Sequence, residues 1–264
     1  MKVRTIALST FGSFLRNKLI ILFCSLFACL VLLMMTPLLA YKAMTTASNM
    51  QQMQGIVVNE VVTVMSLMSG FGSLLAAWAA ADSVASEMKS GTILAVMARP
   101  LRRWQFLAGK YIGVLMLMAV YVVIMLGATL LLAWLGGQRF HASIWTLLVY
   151  PMVRYAIWAA IAMFLVTWLH PIFAMGLVVI LASLVPFFAS TFTKMPAWVR
   201  LPVHLFLPLT NVLSEQRFLT ITKASLKPFP WVSHATVLAY GLDYALVWFL
   251  LAVFVFQYRS LSRD

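Results

Sequence analysis

Long apolar runs separated by short polar segments occupy almost the whole chain. A helix crosses the hydrocarbon core of a bilayer with about 20 apolar residues, and most of the runs have roughly that length. The uncharged run from Tyr155 to Thr193 is too long for one crossing, and the His170-Pro171 pair divides it. The pattern predicts an all-α, polytopic membrane protein with a single transmembrane domain over residues 1–264. The six predicted spans are Leu19–Tyr41, Ile56–Ala81, Tyr111–Leu135, Ile144–Leu169, Ile172–Phe192 and Ala235–Tyr258.

Two further segments are apolar without forming a regular span. Residues 1–18 carry Lys and Arg side chains around an apolar stripe, which predicts a helix lying along the membrane interface. The run over residues 19–41 is longer than the apolar part of a signal peptide and lacks a small-residue cleavage site, so we expect it to remain as a span. Residues 193–234 contain prolines that rule out one continuous helix. They predict an outer, re-entrant segment of short helices.

Composition supports the membrane assignment and narrows the function. Hydrophobic residues make up 64% of the chain and charged residues 9%, whereas soluble proteins have about 25% charged residues. The net charge of +13 could indicate nucleic-acid binding, but the basic residues sit beside the spans. Lipid headgroups and topology account for them there, so lipids and no nucleic acid are the predicted partners. The distribution of Lys and Arg predicts that both termini lie in the cytoplasm. The expected location is a bacterial-type inner membrane.

The longest polar interruption in the N-terminal half is the segment 82–110. Span two is predicted to continue as a helix past Glu87 and to turn at Ser90-Gly91, since glycine tolerates the positive φ of a sharp turn. Residues 92–98 then form a short, mostly apolar helix that Pro100 ends. Such a helix would be exposed to water unless a partner covers it. The segment is therefore predicted to contact something in the cytoplasm.

The residues of this segment resemble those of a known family, the ABC transporter permeases of the type-2 export type. The motif that carries the resemblance is Glu87, Gly91, Thr92, Pro100, Arg103, Gly109 and Lys110. The chain departs from the family pattern at Leu94 and Ala95, where an acidic residue is common, and at Arg102, where the family commonly has serine. With the six-span layout, the resemblance extends over the whole length.

The resemblance implies a function. In that family the helix after Gly-Thr docks into a groove on a separate ATPase subunit, and short helices between spans five and six form an outer gate. ATP and Mg would be bound by the partner ATPase, with no cofactor in this chain. A second permease copy, identical or a sibling, would complete the complex. The implied ATPase-coupling residues are Glu87, Gly91, Thr92, Ile93, Leu94, Met97, Pro100 and Arg103.

We therefore expect the permease subunit of an ATP-driven exporter. The alternative is a non-transporting subunit that passes the motion of the ATPase to a periplasmic protein. An intramembrane enzyme is a third alternative, although the sequence has no metalloprotease motif, no Cys-x-x-Cys and no phosphate-binding loop. Cys24 and Cys29 fall on different helix faces, which disfavours a disulfide or metal pair. Met44, Met50 and Met53 could bind a soft ion such as Cu(I), but chance explains them better among 17 methionines.

Two charged residues fall inside predicted spans. At 1.5 Å per residue, Arg154 lies about 15 Å from the outer end of span four and Asp243 about 12 Å from that of span six. A charge at this depth is costly without a partner, so the two side chains are predicted to face each other. The alternative is that each snorkels separately to water. Close helix packing within the chain is predicted from small residues, namely Ser69, Ser73, Ala77 and Ala81 in span two and Gly109 and Gly113 in span three. A subunit interface is the alternative.

Overall fold

Helices form the regular structure of the computed structural model, which contains no strand among the residues it describes. The structure describes residues 2–18, 20–23, 25–29, 50–90, 102–135, 144–191, 196, 198–199 and 231–258. The helices are α1 (Lys2–Leu15), α2 (Ile20–Cys29), α3 (Met50–Ser90), α4 (Arg103–Leu135), α5 (Ile144–Trp168), α6 (Pro171–Thr191) and α7 (Trp231–Tyr258). The all-α prediction is confirmed for this part of the chain.

A sharp turn follows the first helix. The amide N–H of Arg16 donates to the carbonyl of Ser13 at 3.2 Å, which closes the end of α1. The Asn17 carbonyl then accepts from the amides of Ile20 and Ile21 at 3.1 and 3.2 Å. Asn17 therefore stands at the start of the next helix, where asparagine is a favoured cap. As a result α1 and α2 form a pair bent by 62°.

α5 lies at the centre of the bundle and α7 at its periphery. The most apolar stretch of α5 is 78% buried inside the protein, whereas that of α7 is only 22% buried. The helices α3, α4, α6 and α7 all pack against α5. Consequently α5 buries large side chains such as Tyr155 and Trp158, while α7 buries one side through residues such as Ala245, Ala252 and Phe256.

Four of the described helices contain a stretch long and apolar enough to cross a membrane: Leu67–Met88, Arg103–Ala128, Leu148–Trp168 and Ala235–Tyr258. The bent pair of α1 and α2 makes a fifth if its two helices are joined, and α6 contributes the shorter apolar stretch Pro171–Ala182. The predicted break at His170-Pro171 is confirmed, because Trp168 ends α5 and Pro171 begins α6. Most of predicted span one and of the outer segment lies outside the described residues, so the count of six spans stays a prediction.

α4 begins earlier than the predicted start of span three. The helix starts at Arg103, whereas the sequence pattern places the start of the span at Tyr111. The cause is a reciprocal cap. The Arg102 carbonyl accepts from the Gln105 amide at 2.9 Å, and the Gln105 side chain accepts from the Arg102 amide at 3.3 Å. Phe106, in the first turn of α4, is buried inside the protein.

Aromatic rings packed over a glycine hold α3, α4 and α5 together. A side chain on Gly72 would collide with the rings of Tyr155 and Tyr121. These rings lie edge to face with centroids 5.9 Å apart, and the Tyr121 hydroxyl donates to the Met68 carbonyl at 2.8 Å. Close packing of the small residues within the chain is confirmed, since the single chain buries Ser69, Ser73, Ala77 and Ala81.

Candidate functional site

The candidate site is the end of the bundle where α3 finishes and α4 begins. It lies on either side of residues 91–101, the middle of the predicted coupling segment 82–110, which are called the coupling segment from here on. Of the predicted coupling residues, the structure describes Glu87 and Arg103. The others lie outside the described residues, namely Gly91, Thr92, Ile93, Leu94, Met97 and Pro100. The geometry that follows therefore concerns how the chain holds the two ends of the segment 91–101.

A charge pair joins the end of α3 to the start of α4. The Lys110 ammonium donates to a carboxylate oxygen of Glu87. Lys110 is only 7% exposed, and its nitrogen also lies 5.6 Å from the centre of the Phe106 ring, which adds a cation–π contact. A charge with so little access to water depends on its partner, because a buried charge without one is strongly destabilising. The pair therefore ties the two helices together where the segment 91–101 leaves and re-enters the bundle.

Arg103 connects the start of α4 to the end of α7. Its Nη1 donates to the carbonyl oxygens of Phe256 at 3.2 Å and Gln257 at 2.9 Å. The last carbonyls of a helix lack partners within the helix, and a cation at that end interacts favourably with the helix dipole. Beside this contact the rings of Phe106 and Phe256, both fully buried, stack with centroids 6.0 Å apart. Arg103 thus contacts a helix of its own chain that lies far away in sequence.

The N-terminal helix packs on the same stretch of α4. A Cβ placed on Gly109 would lie 2.7 Å from the Cβ of Ile6, and one on Gly113 would lie 2.8 Å from the Cβ of Thr10. The two glycines are about one helical turn apart and allow α1 to approach closely. The apolar stripe of α1 therefore packs against the protein, with Ala7, Thr10 and Phe14 buried. The position of this helix along the membrane interface stays a prediction.

Three helices thus converge on the first turns of α4. The sequence identified Glu87, Arg103 and Lys110 as motif residues but did not identify what each contacts. The opposite charges on either side of the segment 91–101 were a usable signal for the pair of Glu87 and Lys110. No local pattern indicated that the carbonyls of Phe256 and Gln257 would accept hydrogen bonds from Arg103.

The two charges at membrane depth are not brought together. Arg154 donates from Nη1 to the Ser69 hydroxyl on α3 at 2.7 Å, and Ser69 is buried. Asp243 lies on the exposed side of α7. The structure describes both residues and shows no hydrogen bond or ion pair between them. The predicted contact between Arg154 and Asp243 is therefore absent from the single chain, because Arg154 contacts α3 while Asp243 faces away from the bundle.

The geometry of the site indicates mechanical linkage between helices. Among the described residues, no three His, Cys, Asp or Glu side chains are grouped so that they could hold a metal ion. The charged side chains described above instead join helices to one another. These features define a class, a multi-pass helical membrane protein whose charged residues hold the two ends of the segment 91–101 at one end of the bundle.

Comparison with known families agrees with this class. The sequence profile of the family described as ABC-2 family transporter protein matches residues 4–261, and the chain belongs to that family. It is therefore a multi-pass membrane protein of the ABC transporter permease type. No curated protein matches the chain.

Proposed function

We propose that this chain is the permease subunit of an ATP-driven ABC exporter and that residues 91–101 contact a separate ATPase subunit. The observation that supports the proposal most is the clamp around this segment. The pair of Glu87 and Lys110 joins α3 to α4 on one side, and Arg103 joins α4 to α7 on the other. A segment held firmly at both ends passes a displacement to the helices that hold it, which is the task of a coupling segment in the family to which the chain belongs.

The energy source lies on the partner. The sequence has no phosphate-binding loop of the kind that holds ATP, so this chain offers no such nucleotide site. The ATPase would bind ATP and Mg²⁺ and supply the hydrolysis. This chain would receive the resulting movement at residues 91–101, and a second permease copy, identical or a sibling, would receive it from a second ATPase.

Contacts along α4 give the displacement a route into the bundle. The Tyr111 hydroxyl donates to the Ala156 carbonyl on α5 at 2.9 Å. Further along α4, Tyr121 donates to the Met68 carbonyl on α3. Movement of the first turns of α4 would therefore act on the central helix α5 as well as on α3. In this arrangement the segment 91–101 and both termini lie in the cytoplasm, where ATP is available, and the protein lies in the inner membrane.

The proposal is tested by placing a charge in the ATPase contact. Leu94→Asp should abolish co-purification of the ATPase or its stimulation by the permease, because an unpaired carboxylate is costly at an apolar contact. The matched control, Leu94→Ala, should retain most of the ATPase co-purification and most of the stimulated hydrolysis. Both variants should insert at the wild-type level, measured by their abundance in washed membranes. Normal ATPase binding and normal stimulated hydrolysis in Leu94→Asp would refute the coupling role of this segment.

A further inference from the structure

Two neighbouring arginines at the start of α4 occupy different surroundings. Arg102 is exposed. Arg103 is partly buried, and its guanidinium donates to two successive carbonyls in the last turn of α7. Arg103 is therefore engaged within its own chain, although it stands next to the segment 91–101. This separates it from the residues that would meet an ATPase.

The contact with α7 consists of Arg103 on the carbonyls of Phe256 and Gln257 and of Phe106 stacked on Phe256, and it is called the latch below. A guanidinium presents several N–H donors in a fixed plane, so it can hold two adjacent acceptors in a defined geometry. The carbonyls of Phe256 and Gln257 are suitable acceptors, because the last carbonyls of a helix lack partners within it. The buried stack of Phe106 on Phe256 closes the apolar side of the contact. Both the polar and the apolar part of the latch thus come from the first turns of α4.

α7 is able to carry a movement from this latch to its opposite end. It is one continuous helix of 28 residues from Trp231 to Tyr258, which makes it about 40 Å long at 1.5 Å per residue. It is the least buried of the four long apolar helices, so fewer packed side chains oppose its tilting. A displacement at Phe256 would therefore be delivered near Trp231. In the sequence, that residue directly follows the segment 193–230.

We propose that Arg103 is a positioning residue that makes α7 follow the coupling segment, so that movement imposed on residues 91–101 reaches the far side of the protein through α7. This inference rests on the proposed function, since it assumes that an ATPase moves the segment. It assigns to Arg103 a role inside the permease, in place of the ATPase contact that the family motif implies.

The test compares Arg103→Gln, Arg103→Lys and the neighbouring control Arg102→Gln in the complex isolated through a tag on this chain. Cys24 and Cys29 are replaced by serine, and spin labels are attached at Thr236→Cys on α7 and Leu148→Cys on α5. The distance between the labels is measured without nucleotide and after trapping with ATP and vanadate, with labelled chains diluted by unlabelled ones. Co-purification of the ATPase and its basal hydrolysis are measured on the same samples.

The wild type and Arg102→Gln should show the same change in label distance on trapping. Arg103→Gln should lose that change while it still binds the ATPase and hydrolyses ATP. Arg103→Lys should retain part of the change, because an ammonium can still donate to the carbonyls. If Arg103→Gln does not fold, Arg103→Lys is compared with Arg102→Gln instead. The change in label distance on trapping should then be smaller in Arg103→Lys.

Two results would overturn the latch. One is a full distance change in Arg103→Gln, or in Arg103→Lys where the glutamine variant does not fold. The other is loss of ATPase binding in Arg103→Gln with binding retained in Arg102→Gln, which would place Arg103 in the ATPase contact. Failure of the wild-type chain to bind any ATPase would instead reject the proposed function, and the latch with it.

Discussion

The end of the bundle around Lys110 and the interior around Gly72 are held together by different kinds of contact. At the end, Lys110 and Glu87 form a charge pair, and Arg103 donates to helix-terminal carbonyls. In the interior, two tyrosine rings pack over a glycine that has no room for a side chain. The polar contacts are directional and can be exchanged for contacts with another partner, whereas the packed rings resist any change in helix spacing. Under the proposed function, the end of the bundle would receive movement, while the packed interior would keep the spacing of α3, α4 and α5 constant.

The largest expected effect is on the charge pair. Lys110→Met should lower the free energy of unfolding by about 3 kcal/mol, because it leaves the Glu87 carboxylate without its cation in a mostly buried position. Removing one partner of a buried ion pair costs roughly 3–5 kcal/mol. The lower end of that range applies here because the Glu87 side chain retains 24% exposure. Thermal unfolding in mild detergent measures the loss. Adding Glu87→Gln to the same chain should recover part of it, and a double variant that loses the sum of the two single losses would show that the charges act independently.

The next effect tests the support in the interior. Gly72→Ala should cost about 2 kcal/mol, because the added methyl group meets the rings of Tyr155 and Tyr121 and forces the helices apart. Gly70→Ala is the matched control, since a Cβ at Gly70 has no atom within 4 Å. It should be neutral or slightly stabilising, because alanine favours a helix more than glycine does. Equal thermal stability of the two variants would contradict a close-packed support at Gly72.

The smallest effects concern the charges at membrane depth. Ser69→Ala should cost about 1–2 kcal/mol, because it removes a hydrogen bond to the Arg154 guanidinium. Asp243→Asn should not destabilise the isolated chain, because Asp243 lies on the exposed side of α7 and forms no ion pair with Arg154. The same detergent unfolding assay serves both. A larger loss from Asp243→Asn than from Ser69→Ala would reverse this order and show that Asp243 is engaged.

The helices could be predicted from the sequence because each long apolar run has the length that a helix needs to cross the bilayer. The break at His170-Pro171 followed from the same rule together with the conformational limits of proline. The early start of α4 could not be read from apolarity, since Arg102 and Arg103 interrupt the apolar pattern and the local cap between Arg102 and Gln105 is polar. Local rules therefore located the elements well and their ends less well.

The candidate site was predicted in part. The motif drew attention to Glu87, Arg103 and Lys110, but sequence spacing does not state which distant helix a side chain will reach. The predicted contact between Arg154 and Asp243 shows the limit clearly. Equal depth along two helices fixes the position along the membrane normal but leaves the rotation of each helix about its own axis undetermined. In the structure that rotation directs Asp243 away from the bundle.

Photo-cross-linking from the coupling segment shows directly whether residues 91–101 meet an ATPase. A photoreactive amino acid is placed at Leu94, and a control is placed at Leu131, which is exposed on α4. After illumination of intact membranes, we expect position 94, and not position 131, to become joined to a chain that hydrolyses ATP. Absence of any ATPase from the products at position 94, or equal capture from both positions, would contradict an ATPase contact at residues 91–101.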